Sequence, residues 1–212
     1  MSVIPLTEDQ RDAMQEITNV AMGQAGAMLA TLLGTFVTLS VPRINVLALT
    51  EVPPAIGEMV GRDIEVTAVR QSFQGYLQGE AIVIYDQDGC KELGDLMGYD
   101  EALARTDELE LLLDVSNIIV GACLGGIIEQ INNLTAEKVA GKLNFSAPSL
   151  MAEGVPAEKL INPEKLTWSY ALLLEVNFKL EGRNFASHLC TLMSEQSIVK
   201  MKGILDEFIA SF

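Results

Sequence analysis

The chain has 212 residues, with 14 Lys plus Arg against 29 Asp plus Glu, a formal net charge of −15 and 49% hydrophobic residues. That mix is too apolar for a disordered chain, and at this length a sizeable core forms without disulfides or metal. A net-negative surface repels phosphate, which excludes nucleic-acid binding through a basic patch.

The acidic excess is larger before residue 105, with 5 basic and 15 acidic residues, than after it, with 9 and 14. Such a surface keeps a protein soluble and steers it towards basic partners. Cys90, Cys123 and Cys190 are dispersed and odd in number. Free thiols in a reducing compartment are therefore expected, not a disulfide framework. His188 is the sole histidine, so neither a zinc site nor a Ser-His-Asp triad has support, and the alternation around it predicts a strand. The N-terminal MSVIPLTEDQR lacks a signal-peptide pattern, and the apolar run Ile118 to Ile128 is too short to cross a bilayer. The expectation is a soluble, cytoplasmic protein with no membrane insertion.

The elements follow in chain order. Thr7 and Gln10 form a capping box for a helix over 7–33, with Met14, Ile17, Ala21, Met28 and Leu32 at helical spacing and Gly34 as the stop. Strands are predicted over 36–41 and 44–49. Val52-Pro53-Pro54 reads as a loop. Two more strands, 64–73 and 79–85, flank a Gln74-Gly75 turn, and a short helix over 90–97 follows a turn at 86–89. Thr106 then caps a second long helix whose apolar positions include Leu111, Leu112, Val115, Ile118, Ile127 and Ile131. Gly121, Gly125 and Gly126 suggest that this helix is closely packed. A strand over 139–145, a Pro-containing loop over 147–163, a hairpin of 168–180 with 184–193 around Glu181-Gly182, and an amphipathic helix over 194–212 complete the chain.

Both parts therefore read helix, strand, loop, hairpin, helix. A shift of 98 residues aligns Glu16 with Asp114, Asn19 with Asn117, Gly23 with Gly121 and Val41 with Val139. The reading is one domain, 1–212, made of two repeats of about 1–104 and 105–212. Its class is α/β (α+β), a pseudo-twofold duplicated unit with a mainly antiparallel sheet flanked by long helices.

On the first helix Asp12, Glu16 and Asn19 stand at i, i+4 and i+7, within about 60° of one another, and Gly23 extends this polar stripe. Ala13, Ile17 and Ala21 face the core beside it. Glu110, Asp114, Asn117 and Gly121 repeat the spacing. A carboxamide carries a donor and an acceptor, so it can hold a water in one direction without being consumed. Phosphoryl transfer depends mostly on such positioning. An aspartyl phosphate already activated in its own protein needs only a water-orienting amide from a second one, with an acid to dock on the lysine beside it.

Asp12-Ala-Met-Gln-Glu16-Ile-Thr-Asn19, followed by 22 residues and Pro42, reads D-x3-E-x2-N-x22-P. A random chain of this length matches that pattern only about a few times per thousand. The pattern resembles the signature of the CheC/CheX/FliY family of CheY-phosphate phosphatases in bacterial chemotaxis. The repeated half-unit and the order of elements cover essentially the whole chain and most resemble CheC, which keeps two such helices.

The resemblance implies a phosphatase of the aspartyl phosphate on a CheY-type response regulator. Asn19 would orient the attacking water and Glu16 would engage the regulator's lysine. Pro42 would shape the chain around the site, and Asp12 would support it. The protein would need no cofactor of its own, because the regulator brings Mg²⁺. The family also implies the receptor deamidase CheD as a partner, and an alternative role as a non-catalytic CheY- or CheD-binding adaptor.

The second site departs from the pattern. Glu110 stands where the family has Asp or Ser, Asp114 where it has Glu, and Ala140 where it has Pro, with Pro148 at a different spacing. Asp114 is one methylene short, so the first site is expected to dominate, with Asn117 weaker.

Overall fold

The computed structural model describes residues 5–96, 105–134, 143–166, 168–183 and 185–210. A capping box opens the first helix, α1 (Glu8–Leu33): the Thr7 hydroxyl accepts from the Gln10 amide, and Gln10 Oε1 accepts from the Thr7 amide. Gly34 ends it with a left-handed φ of 63°, a conformation that costs other residues a steric clash at Cβ. The buried stripe of α1 runs through Met14, Ile17, Ala21, Ala25, Leu29 and Leu33. Met28 and Leu32 lie outside it, 56% and 43% exposed, one helical step away from the core-facing positions.

After α1 come β1 (Val37–Leu39), β2 (Arg43–Ala48), α2 (Val52–Val60), β3 (Glu65–Gln74), β4 (Gly79–Asp86) and α3 (Gln87–Leu96). Then follow α4 (Arg105–Leu134), β5 (Asn144–Phe145), β6 (Ser149–Pro156), β7 (Tyr170–Leu180), β8 (Ala186–Met193) and α5 (Glu195–Ile209).

Several expectations change. Val52-Pro53-Pro54 opens α2 instead of forming a loop, because a proline in the first turn gives up an N–H that no helical bond needs. The stretch expected as a loop over 147–163 contains β6. The helix expected at 90–97 already begins at Gln87, and residues 97 and 98 lie outside the described residues. Thr106, expected to cap this helix, falls inside α4, which the structure describes from Arg105. Of the strand expected at 139–145, Asn144 and Phe145 are β5, while 139–142 lie outside the described residues.

All described strand pairs are antiparallel, in the order β1-β7-β8-β4-β3-β5, with β2 also on β7 and β6 also on β3. The two halves exchange strands. β1 and β2 leave the first half to pair with β7, and β5 and β6 leave the second to pair with β3. The halves meet along β4 and β8. Neither half completes its sheet alone.

One face of the sheet carries the larger core, where Met14, Ile17, Leu112, Ile119 and Met201 of the helices pack on Tyr85, Leu174 and Phe178. The opposite face packs Val52 and Ile56 of α2 on Ile82, Leu173 and Cys190. Helix α4 is long and apolar enough to cross a membrane by length and composition, more than the run 118–128 suggests. Its apolar residues Leu111, Val115, Ile119, Leu124, Ile127 and Ile131 are spent on the core. Cys123 and Cys190 are free and buried, and burial pushes both thiols far above their ordinary pKa.

Helices α1 and α4 run antiparallel. A Cβ built on Gly126 would lie 3.0 Å from the Ala21 Cβ, and Leu32 shares a groove with Leu111 and Val115. Of the three glycines that predict close packing, only Gly126 meets a neighbour within 4 Å; Gly121 and Gly125 face open space.

Candidate functional site

The long helix α1 presents Asp12, Glu16 and Asn19 on its exposed face, while Ala13, Ile17 and Ala21 of the adjoining stripe are buried. Twenty-six helical residues with a capped start make a rigid platform for them. Among the described residues, no side-chain hydrogen bond or ion pair engages Glu16 or Asn19. Both can therefore meet an incoming partner without first losing a contact.

Pro42 is brought to this helix by Gln15, whose Nε2 donates to the Pro42 carbonyl over 2.9 Å. Pro42 is itself buried. It sits at a bulge: residues 40–42 lie between β1 and β2, opposite only residues 176 and 177 of β7. Ser40 pins the bulge. Its N–H donates to the Asn177 carbonyl and its hydroxyl accepts from the Asn177 N–H, each at 3.0 Å. A residue without an N–H suits a place where the ladder is already interrupted.

The second half builds the same bulge. Residues 146–148 lie between β5 and β6, opposite residues 71 and 72 of β3. The Ser146 N–H donates to the Ser72 carbonyl over 2.9 Å, and the Ser72 N–H donates to the Ser146 hydroxyl over 3.0 Å. Pro148 therefore occupies the counterpart position of Pro42, immediately before β6 as Pro42 is immediately before β2. The shift of 98 residues that pairs the helices does not hold beyond them. Asn117 and Pro148 are 31 positions apart and Asn19 and Pro42 only 23, so the strands pair at a larger shift and Ala140 is not the counterpart of Pro42. The tripeptides Ser40-Val41-Pro42 and Ser146-Ala147-Pro148 carried this signal in the sequence.

On α4, Asp107, Glu110, Asp114 and Asn117 line a groove of about 480 Å³ with Leu32, Leu111, Val115 and Ile118. Asp114 and Asn117 are exposed, as Glu16 and Asn19 are. Their surroundings differ beneath the asparagine. Asn117 Oδ1 accepts a 2.9 Å hydrogen bond from Gln71 Nε2, and the same Nε2 donates to the Ser146 carbonyl over 2.8 Å. Nothing in the spacing of the motif pointed to Gln71, which reaches the site from β3 in the other half.

Since Gly126 faces Ala21, Asn117 lies near residue 30 of α1. The two asparagines are thus separated by about 16 Å along the paired helices.

His188 is far from both stripes in role. It is a β8 residue, as the alternation predicts, with Nδ1 2.8 Å from Asn177 Oδ1. Burial first, and Lys179 second, lower its pKa to about 4. Glu175, beside Arg43 in a notch of about 320 Å³ behind Pro42, has its carboxyl pKa raised by burial, against the pull of Arg43 and with the push of Glu58.

No protein-family model matches this sequence, and no curated protein does. Solved structures do. Thermotoga maritima FliY is 20% identical, covering 96% of this chain and 98% of its own, with a TM-score of 0.68. The fold is that of the CheC/CheX/FliY proteins. CheX from Desulfovibrio desulfuricans is 14% identical over 83% of this chain and 99% of its own, with a TM-score of 0.51. FliM from a FliG–FliM complex of H. pylori is 9% identical over 93% and 100%, with a TM-score of 0.60. This fold thus occurs in a chemotaxis protein, CheX, and in FliY and FliM.

Proposed function

We propose that this protein hydrolyses the aspartyl phosphate of a CheY-type response regulator, working in the cytoplasm. The observation that carries the reading is the pair Glu16 and Asn19, exposed, unengaged and less than one turn apart on a rigid helix. The pair docks as a unit. Glu16 accepts from the regulator's lysine, a charge-assisted contact that fixes the register. Asn19 then holds a water in line with the phosphorus. Water attacks, the bond from phosphorus to the aspartate oxygen breaks, the carboxylate is restored and inorganic phosphate leaves. The water gives up its protons to the phosphate and the surrounding solvent.

The regulator supplies Mg²⁺ and the activated phosphoryl group, and this chain supplies position. Ordering a water and an acceptor in this way takes several kcal/mol off the barrier, of the order known for oriented intramolecular reactions. Asp12 supports the helix face, and Pro42, held by Gln15, sets the neighbouring backbone. Asp114 and Asn117, with Glu110 one turn before them, form a second copy of the site.

Phosphate release from a CheY-type receiver turning over acetyl phosphate is the test. The wild type accelerates release, and Asn19→Ala removes most of the acceleration while leaving the fold intact. Retention of full acceleration by Asn19→Ala and Asn117→Ala together would refute the reading. The likeness to FliM supports a second one, an adaptor that binds CheY or CheD without hydrolysis. It predicts binding to the phosphorylated receiver with no change in its lifetime.

A further inference from the structure

Gln71 is a buried carboxamide, 2% exposed, in the middle of β3, and its Oε1 is buried without a hydrogen-bond partner. Burying an unsatisfied acceptor costs about 1–3 kcal/mol. An apolar residue would avoid that cost, as Val69 and Phe73 do on the same face of the strand. The cost is offset by what the other end of the amide does.

The chemistry fixes its orientation. The Ser146 carbonyl can only accept, so the Gln71 atom 2.8 Å from it is nitrogen. The same nitrogen lies 2.9 Å from the Asn117 amide, which must therefore turn its oxygen inward. Its NH2 is left as the free half, at the surface beside Asp114. The anchor is firm, because Ser146 is itself tied to Ser72 by two backbone-linked bonds. Asn19 has no such partner.

We propose that Gln71 is the positioning residue of the second site, locking the Asn117 carboxamide with its oxygen inward and its NH2 towards the phosphoryl group. The proposal rests on the phosphatase reading for its catalytic consequence but not for the lock itself. A fixed amide offers water and phosphoryl oxygen one arrangement in place of several, which reduces the ordering left to the transition state. The second site is thereby compensated for its shorter acid, Asp114.

The test uses the full chain carrying Asn19→Ala, so that remaining activity comes from the second site. Gln71→Met keeps length and apolar fit and deletes the donor; Gln71→Glu replaces the donor with an acceptor. Side-chain amide ¹⁵N–¹H spectra of the protein alone read the lock. The Asn117 NH2 pair is expected to move to the position of a solvated asparagine in Gln71→Met and to shift differently in Gln71→Glu, where it turns inward to donate. Turnover of a CheY-type receiver with acetyl phosphate reads the consequence: kcat falls roughly tenfold in both variants at unchanged KM.

An Asn117 pair that stays in place in both variants, with backbone spectra native, overturns the lock. A pair that moves while kcat is unchanged overturns its role in the reaction. If the wild type releases no phosphate, the phosphatase reading fails and the catalytic half of this proposal falls with it, whereas the spectra still decide whether Gln71 holds Asn117.

Discussion

On α1, Asn19 stands in solvent beside Glu16; on α4, Asn117 is also exposed but accepts a hydrogen bond from Gln71 beneath it. The helix spacing is the same, and so is the serine-pinned bulge with its proline. The acids differ, Asp114 being shorter by a methylene than Glu16 and Glu110 longer than Asp12, and a buried amide, Gln71, lies beneath Asn117 alone. A motif judged by its own residues ranks α1 first. A motif judged with the layer below it gains an argument for α4. The lesson is that the worth of a polar surface residue depends on what orients it, and that information sits elsewhere in the chain.

The largest expected effect breaks the comparison outright. In phosphate-release assays Asn19→Ala leaves a residual rate carried by Asn117, and Asn19→Ala with Asn117→Ala lowers the rate by roughly a hundredfold or more, the usual cost of losing an orienting group. A double variant no slower than Asn19→Ala alone would make α4 a structural echo of α1.

Much of this was legible in the sequence. Thr7 with Gln10 announced the start of α1, Gly34 its end, and Glu181-Gly182 the turn of the β7–β8 hairpin. The inner part of each stripe was legible, Met14, Ile17 and Ala21 on α1 and Leu111, Leu112, Val115, Ile127 and Ile131 on α4, because a 3.6-residue period fixes which side chains share a face; Met28 and Leu32, expected on the same stripe, are exposed. The bulge at Pro148 was missed because the helix-to-strand connection is eight residues longer in the second half (31 against 23), and a single shift cannot span it. Strand β6 was missed because Ser149-Leu150-Met151-Ala152-Glu153-Gly154 does not alternate; this edge strand pairs with β3 through irregular register. Gln71 was invisible because its role depends on a strand exchange between halves. Local patterns report local structure, and the second site is assembled from three distant segments.

Next in size is the contact that sets both sites on one surface. Gly126 admits the backbone of α1 at Ala21, so Gly126→Val drives a branched side chain into a gap already filled. Chemical denaturation is expected to show a loss of about 1–3 kcal/mol. Because the helices must separate, activity at both sites falls together. A loss at one site only would mean that the helices bend independently.

His188 lies on the β7–β8 hairpin, which carries the backbone that pins the first bulge, and it sharpens the comparison through pH. Its pKa is about 4 in the folded chain against 6.5 for an unperturbed histidine. Between those values the unfolded chain binds a proton that the folded chain does not. Stability therefore rises with pH through that window, and is lost as pH falls from 6.5 towards 4, by up to about 3 kcal/mol. Glu175, with its pKa raised, works in the opposite sense at acid pH, because the folded chain then holds its proton more tightly. The difference between wild type and His188→Gln in denaturation midpoints, followed from pH 7 to pH 4, isolates the histidine. Equal slopes for the two proteins would show that His188 is solvated and does not anchor Asn177.

The smallest effect is the most discriminating between a surface that binds and one that is only exposed. Gly23 and Gly121 occupy matching positions four residues after Asn19 and Asn117, and a Cβ on either meets nothing within 4 Å. Neither needs glycine for the helix, so Gly23→Ala and Gly121→Ala should each raise stability by about 0.5–1 kcal/mol. If a regulator's backbone packs against these gaps, each added methyl weakens docking at its own site, raising KM with kcat unchanged. Thermal unfolding and turnover measured on the same samples separate the two consequences. A gain in stability with KM also unchanged at both sites would show that the partner's contact ends at the asparagines, and that the glycines of the stripe belong to the helix alone.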